Sequence, residues 1–321
     1  MFKTLIRRSS EILYVVILLF CMAMLVVFPN RYVGIASDGI KIWALTVLPS
    51  LLPFFFLTAL ITRTRVLTKL SDKAGGVTKF LYGQSGIAAY VQLMSFLSGY
   101  PIGAKLVSDL YSSGSIDEES ATSLSVISST SGPLFIVGGI GVGMFKSGKI
   151  GYIILVSHYL SSIITGVIFR SKRTLGNRRF RTVDSCDNVL YESAYSSVVS
   201  VAVIGAFIAV FYTFANVLID SGVTRPFQSA LSWFLGENVS EGLIVGLIEC
   251  TTGIRAIANA PISAATVGLS CAVVTLGGLS VWCQSIVYLS RAKVKIKTFI
   301  LAKLVQAIIA FLLCYLIFYF F

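Results

Sequence analysis

The residues that could do chemistry form short polar groups between long apolar stretches of the chain. The first group is Gly99, Tyr100 and Pro101, followed by Lys105. Glycine and proline disfavour a continuous helix and leave backbone groups free, while a tyrosine ring and an ammonium group can contact a solute. We predict that this turn lines a ligand site; the alternative is an ordinary turn between two helices.

A second polar group precedes a proline. Ser129, Thr130, Ser131 and Gly132 stand directly before Pro133. The segment therefore combines hydroxyl groups with backbone groups that the proline leaves without helical partners. Hydroxyls in membrane helices can also bond back to their own backbone. We predict that these four residues before the proline bind a solute.

The third polar group carries charges of both signs. Its members are Glu249, Thr251, Thr252, Gly253, Arg255 and Asn259. Charges at membrane depth are costly and usually functional. We expect Lys105 and Arg255 to provide charge for a carboxylate, and Glu249 to bind a coupling proton or Na+. The alternative is a structural ion pair in each group, Lys105 with Asp109 and Glu249 with Arg255.

Motifs for other chemistry are missing from the sequence. The chain has no Walker A, His-Glu-x-x-His or Gly-x-Ser-x-Gly pattern, and its six cysteines lack disulfide or metal-ligand spacing. His158 is the only histidine, and a hydrogen-bonded packing role is favoured for it over a proton relay. We therefore expect neither an enzyme nor a metal site, and no cofactor other than a coupling Na+ or H+.

Composition defines the elements that must position these groups. Hydrophobic residues make up 56% of the 321 and charged residues 12%, and several apolar runs reach the roughly 20 residues that a membrane-crossing helix needs. These runs lack the alternation of barrel strands, so we predict an all-α polytopic integral membrane protein. The net charge of +12 comes from clusters beside the apolar runs. The expected partners are the lipid bilayer and a small-molecule substrate, with no nucleic acid and an oligomer possible.

The predicted elements repeat in the same order along two halves of the chain. Each half holds a span, a surface segment, a re-entrant hairpin, a broken helix and a final span. The predicted regions are an N-terminal transmembrane helix and loop (1–39), a first transport repeat (40–171), a basic cytoplasmic loop (172–195) and a second repeat (196–321). The hairpins are expected at 83–110 and 241–259, and the breaks at 128–133 and 275–278.

The distribution of lysine and arginine predicts the orientation of the spans. A cytoplasmic N-terminus, central loop, 63–79 segment and 291–297 loop leave few basic residues outside: Arg31, Lys41, Lys146, Lys149 and Arg225. The two hairpins then enter from opposite faces, so the repeats are inverted. Inverted repeats with discontinuous helices are typical of secondary transporters, because broken helices present free backbone groups to a substrate.

Several motifs resemble one known family. They are Phe-Leu-Ser-Gly-Tyr-Pro-Ile-Gly-Ala-Lys at 96–105, Ser-Asp-Leu-Tyr at 108–111, Ser-Gly-Pro-Leu-Phe-Ile at 131–136 and Gly-Val-Gly-Met-Phe at 141–145. The chain resembles the YlbJ family of sporulation integral membrane proteins over about 47–169, with weaker support at 249–253. The resemblance implies a nucleoside-recognition gate domain, similarity to concentrative nucleoside transporters, and dipicolinate as cargo. It also implies a place in the cell membrane, with the mother-cell-derived outer forespore membrane as a specific possibility.

Residues and resemblance together predict a secondary transporter of a small polar aromatic or anionic metabolite, with dipicolinate during sporulation as the first candidate. A nucleoside transporter and a non-transporting sporulation scaffold are the alternatives. Charge at the site separates the two cargoes. A dianion needs a positive potential, whereas a neutral nucleoside needs paired amide and carboxylate groups.

Overall fold

The computed structural model describes residues 2–62, 64, 66–171 and 188–321. Every regular element in these ranges is a helix, as predicted. The N-terminal half contains α1 (Phe2–Val27), α2 (Pro29–Ile42), π1 (Trp43–Val47), α3 (Leu48–Thr62), α4 (Val66–Tyr82), α5 (Ile87–Ser98), α6 (Ile102–Ser112), α7 (Glu118–Ile127), π2 (Leu134–Met144) and α8 (Gly148–Ile168), where π1 and π2 are π-helical. The C-terminal half contains α9 (Val189–Asp220), α10 (Arg225–Leu235), α11 (Glu237–Gly246), α12 (Cys250–Ala258), α13 (Ala264–Leu276), α14 (Gly278–Leu289) and α15 (Ile296–Phe320).

The N-terminal region differs from the prediction in one respect. Residues 29–39 were expected to form a loop, but they belong to α2, which follows α1 after a bend of 108°. Pro29 starts the new helix, a position that suits proline because its missing N–H has no helical partner there. The chain therefore turns sharply between the first two helices without an intervening loop.

Two prolines shape the next segment. Pro49 cannot donate a hydrogen bond to the carbonyl four residues before it, and directly upstream Leu48 N–H bonds to the carbonyl of Trp43, five residues back. The result is π1, which joins α2 to α3 in one uninterrupted helical segment. Pro53 lies inside α3.

Four helical stretches in the described ranges are long and apolar enough to cross a membrane, and the bent α1–α2 pair would make a fifth. The four are α8, α9, the α13–α14 pair and α15. The predicted surface segments are the helices α4 and α10. On α10 the rings of Trp233 and Phe234 are 83% and 74% exposed, as suits a helix that lies in a membrane surface.

The hairpin and the broken helix follow one another in the same order in both halves of the chain. Hairpin α5–α6 corresponds to α11–α12, and the broken helix α7–π2 corresponds to α13–α14. The contacts between the halves are reciprocal as well, because α6 packs on α14 while α12 packs on π2, and α8 packs on α15. The predicted basic loop at 172–195 lies largely outside the described residues, and α9 already begins within its range at Val189.

Candidate functional site

The tip of the first hairpin packs directly on the break of the first broken helix. At the tip, Gly99 has a φ of +75°, and a Cβ there would lie 2.5 Å from the backbone nitrogen of Gly132. On α6, a Cβ on Gly103 would lie 1.8 Å from the carbonyl oxygen of Ser128. Only glycine permits these approaches. We call this contact between 99–103 and 128–133 the first junction.

The tip of the second hairpin packs on the second break in a corresponding way. Leu279 N–H donates to the Leu247 carbonyl at 2.8 Å, and Ser280 N–H donates to the Ile248 carbonyl at 3.0 Å. Gly278, with a φ of +68°, lies where a Cβ would be 2.6 Å from the carbonyl oxygen of Gly246. We call this contact between 246–249 and 276–280 the second junction.

His158 on α8 connects the two broken helices. Ser131 N–H in the first break donates to His158 Nε2 at 2.9 Å, and Nδ1 lies 2.8 Å from Oγ1 of Thr275 at the end of α13. The Thr275 hydroxyl donates to the Cys271 carbonyl at 2.6 Å. When Nδ1 carries the ring proton, Nε2 accepts from Ser131 N–H and Nδ1 donates to the Thr275 hydroxyl oxygen. The Thr275 hydroxyl then donates to the Cys271 carbonyl, so each bond has one donor and one acceptor. This geometry agrees with the predicted hydrogen-bonded packing role of His158.

A cavity lies between the two junctions, and we call it the inner cavity. The space between its walls, including its open side, is about 570 Å³. Both tips and both broken helices contribute to the lining. The polar lining residues are Ser98, Tyr100, Ser131, Glu249, Thr251, Ser280 and Gln284, and the apolar ones include Val47, Phe135 and Ile204.

Glu249 is the acid of the inner cavity, and its carboxylate is already engaged. The residue is 2% exposed and caps the start of α12. One oxygen accepts from Thr251 N–H at 3.0 Å, and the other accepts from Thr252 N–H and the Thr252 hydroxyl, each at 2.7 Å. The alternative of an ion pair with Arg255 is wrong, because Arg255 is exposed and makes no ion pair with Glu249.

A wider space, which we call the vestibule, adjoins the inner cavity. It measures about 1630 Å³ including its open side. Its lining contains Lys146, Arg255 and Asn259, and no acid is found among its described lining residues. Val47, Phe135 and Thr251 line both spaces, so the two spaces are adjacent. The charged residues among the described lining of the vestibule are all basic.

The structure brings most of the predicted site residues to these two spaces. The predicted residues that line the inner cavity are Gly99, Tyr100, Ser131, Gly132, Glu249 and Thr251, and those that line the vestibule are Thr251, Arg255 and Asn259. Pro101, Ser129, Thr130, Thr252 and Gly253 do not line either space. Lys105, which was expected to face the site, does not line either space, and its Nζ donates to the hydroxyl of Ser196 on α9.

Sequence reasoning missed Lys303 in α15. This lysine is 1% exposed, and its Nζ donates to the Ser129 carbonyl at 2.9 Å and to Gln306 Oε1 at 3.3 Å. The same atom lies 5.4 Å from the centre of the Tyr100 ring, within the range of a cation–π interaction. A lysine and a glutamine three residues apart in an otherwise apolar helix were the available signal, because they share one face.

Several polar atoms close to Lys303 in the sequence or the fold have no partner in the structure. They are the hydroxyls of Ser129 and Thr130 and the amide nitrogen of Gln306, all buried. Buried polar groups are rarely left unpaired, so each such group calls for an explanation. Hydroxyl and amide groups of this kind can accept or donate to a bound solute or to water.

Comparison with known proteins finds a relative that is similar over most of the chain. The chain is 25% identical to the sporulation integral membrane protein YlbJ of Bacillus subtilis (strain 168), over an alignment that covers 95% of this chain and 82% of that protein. The chain is similar to this protein along nearly its whole length. Because the relative is an integral membrane protein, the apolar helices of this chain form a multi-pass membrane bundle, as predicted. No protein-family model and no solved structure match the chain.

Proposed function

We propose that this protein is a secondary transporter that moves a small polar ring compound through the inner cavity. One observation carries the proposal: the two hairpin tips and the two helix breaks, which are the interruptions expected of a transport site, meet around a single space. Broken helices in secondary transporters present free backbone groups to substrate at such a meeting point. The adjoining vestibule supplies an entry path.

Dipicolinate is the first candidate cargo. The relative is named for sporulation, and the family resemblance implies this dicarboxylate. Lys146 and Arg255 support an anion as cargo, because two cations around a vestibule without a described acid raise the local concentration of anions. Lys303 adds a buried positive charge 5.4 Å from the centre of the Tyr100 ring.

A nucleoside is the second candidate, favoured by the lining of the inner cavity. Glu249 and Gln284 place a carboxylate and an amide in the same wall, and no lysine or arginine is among the lining residues. Such groups suit the hydroxyls and the amide edge of a neutral nucleoside. The charges of the vestibule and the lining of the inner cavity thus favour different cargoes.

One experiment tests the function and separates the cargoes. Purified protein in proteoliposomes is offered radiolabelled dipicolinate or uridine, with and without H+ or Na+ gradients. We expect uptake of dipicolinate above that of empty vesicles and little uptake of uridine. The reverse preference would establish the nucleoside alternative. Uptake of neither compound would contradict the transporter and favour the scaffold.

A blocking variant shows whether transport uses the inner cavity. Thr251 lines both the vestibule and the cavity, so Thr251→Trp places a large ring at their connection. Ser229→Trp on the exposed face of α10 is the matched control. We expect the first variant to lose uptake and the control to keep it, with equal yields of monodisperse protein. Full uptake by Thr251→Trp would show that the transport pathway does not pass Thr251.

A further inference from the structure

Lys303 occupies a position that favours a cation. The helix α7 ends at Ile127, so the Ser129 carbonyl lies just beyond the end where the helix dipole is negative. The other groups within reach of the ammonium are Gln306 Oε1 and the face or edge of the Tyr100 ring. Unwound carbonyls and side-chain oxygens at such breaks coordinate Na+ or H+-bearing groups in secondary transporters. In this protein the ammonium group of Lys303 occupies the position that a bound cation would have.

The charge of Lys303 is not balanced by a neighbouring acid. The titratable groups beside it are Tyr100 at the first tip, Cys250 on α12 and His158 on α8, and Tyr159 on α8 and Cys271 on α13 lie close to Tyr100. The acids of α7, Glu118 and Glu119, are at its exposed N-terminal end, and no described acid forms an ion pair with Lys303. A buried ion without a counter-charge is costly, so its protonation responds to what binds nearby.

Lys303 also links three separate parts of the site. Its Nζ joins the first break through Ser129, the helix α15 through Gln306 and the first tip through Tyr100. Loss of the proton would remove the cation–π interaction and weaken the two hydrogen bonds, because a neutral amine is a poorer donor. The Tyr100 tip would then keep its packing on the break and the hydrogen bonds of the Tyr100 hydroxyl to the Val274 carbonyl and to Ser131.

We propose that Lys303 binds the coupling proton of transport and, when protonated, clamps the first hairpin tip onto the first break. The proposal rests on the transport function proposed above. An anionic cargo in the inner cavity favours the protonated amine, and by reciprocity the protonated amine favours the cargo. Anion and proton therefore travel together. Glu249 is less suited to this task, because three donors already fix its carboxylate.

The test separates exchange from accumulation in proteoliposomes. Lys303→Met keeps the length of the side chain without its charge, and Lys303→Arg keeps a charge that is not lost. The control is Lys297→Met, at an exposed position of the same helix. With dipicolinate as probe, we expect both Lys303 variants to retain exchange but to lose accumulation driven by a pH gradient by about tenfold or more. The control should match the wild type.

Three outcomes of this transport assay would overturn the proposal. Accumulation by Lys303→Met at the wild-type level would show that the proton binds elsewhere. Loss of exchange together with accumulation, in variants that remain monodisperse, would make Lys303 a residue for cargo binding or folding. Accumulation driven by a Na+ gradient alone in the wild type would also contradict proton coupling.

A second measurement needs no cargo. Hydrogen–deuterium exchange of peptides covering 99–105 and 128–133 is followed at mildly acidic and mildly alkaline pH, with times corrected for intrinsic exchange. We expect faster exchange of these peptides at alkaline pH in the wild type and in Lys297→Met, and no pH effect in Lys303→Met. An unchanged first junction in the wild type would overturn the clamp even if dipicolinate is transported. A pH-dependent junction in a protein that transports neither solute would contradict only the proposed function.

Discussion

In both junctions a hairpin tip packs against a broken helix, but different bonds hold the two contacts. The second junction is closed by main-chain hydrogen bonds from Leu279 and Ser280 to the tip carbonyls. The first junction relies on glycine packing at Gly99 and Gly103, with Lys303 contacting both of its sides. Main-chain bonds do not titrate and need no ligand, whereas an ammonium bridge does titrate.

We infer from this difference a separate task for each hairpin in the proposed transport. A junction closed by the backbone can serve as the fixed wall of a transport site. A junction closed by a side chain, beside hydroxyls that have no partner, can change with protonation or with cargo. We therefore expect the first hairpin to move during transport and the second to stay in place.

The largest effect is expected when the close packing of the first junction is broken. Gly103→Ala would place a methyl group 1.8 Å from the Ser128 carbonyl oxygen, whereas a Cβ on Gly34 of α2 would have no neighbour within 4 Å. Overpacking of this kind costs about 1–3 kcal/mol. We expect Gly103→Ala to lower the melting temperature by several degrees and to abolish uptake, with Gly34→Ala as the unaffected control. Equal behaviour of the two variants would mean that the tip does not need to touch the break.

The bridge between the two halves is expected to matter nearly as much. His158→Leu keeps apolar volume but leaves Ser131 N–H without its acceptor and removes a partner of Thr275. An unsatisfied buried donor costs about 1–3 kcal/mol. The control on the same helix is Ser162→Ala, whose buried hydroxyl has no partner. In detergent, His158→Leu should have a lower melting temperature than Ser162→Ala. An unchanged melting temperature of His158→Leu would show that the imidazole is not needed to hold the two broken helices together.

Two charged residues sharpen the comparison at an intermediate level. Arg255→Gln removes one of the two vestibule cations, so we expect a higher KM for dipicolinate, an unchanged melting temperature and a weaker salt dependence of uptake. Lys105→Gln removes a hydrogen bond to Ser196 between α6 and α9, and we expect it to affect stability more than KM. If Lys105→Gln instead raised the KM for dipicolinate, Lys105 would contact the substrate.

Much of this arrangement could be predicted from the sequence because membrane chains mark their interruptions clearly. The turn at Gly99 and Pro101 and the break before Pro133 stand out, since glycine, proline and hydroxyl groups disrupt long apolar runs. The structure brings both tips to one cavity, whereas the charge-based orientation of the spans stays a prediction. Local composition and lysine distribution are properties of the chain that do not depend on side-chain packing.

The directions of the charged side chains could not be predicted in the same way. Lys105 and Arg255 stand next to the hairpin tips in sequence, yet one bonds to α9 and the other faces the vestibule. Lys303 is remote in sequence and reaches the site only because α15 packs on α8 and α13. Nearness in sequence to a turn does not determine which face of a helix a residue occupies, and packing between distant helices decides it.

The smallest effect on stability is expected for the free hydroxyls of the first junction, and it tests the comparison most directly. The Ser129 and Thr130 hydroxyls have no partner in the described structure, whereas Oγ1 of Thr275 beside the second junction bonds to His158 and to the Cys271 carbonyl. The double variant Ser129→Ala and Thr130→Val should therefore change the free energy of unfolding by no more than about 0.5 kcal/mol. Thr275→Val should cost about 1 kcal/mol or more, because it leaves a bonded partner unpaired.

Transport gives the second half of this test. If the first junction opens during transport and the Ser129 and Thr130 hydroxyls, which line neither space in this structure, then bind cargo, the double variant should lose severalfold in uptake of dipicolinate while it stays folded. Thr275→Val should lose uptake only in proportion to its lower stability. A double variant as unstable as Thr275→Val would show that the Ser129 and Thr130 hydroxyls are bonded in the folded protein, and the two junctions would then be closed by the same kind of interaction.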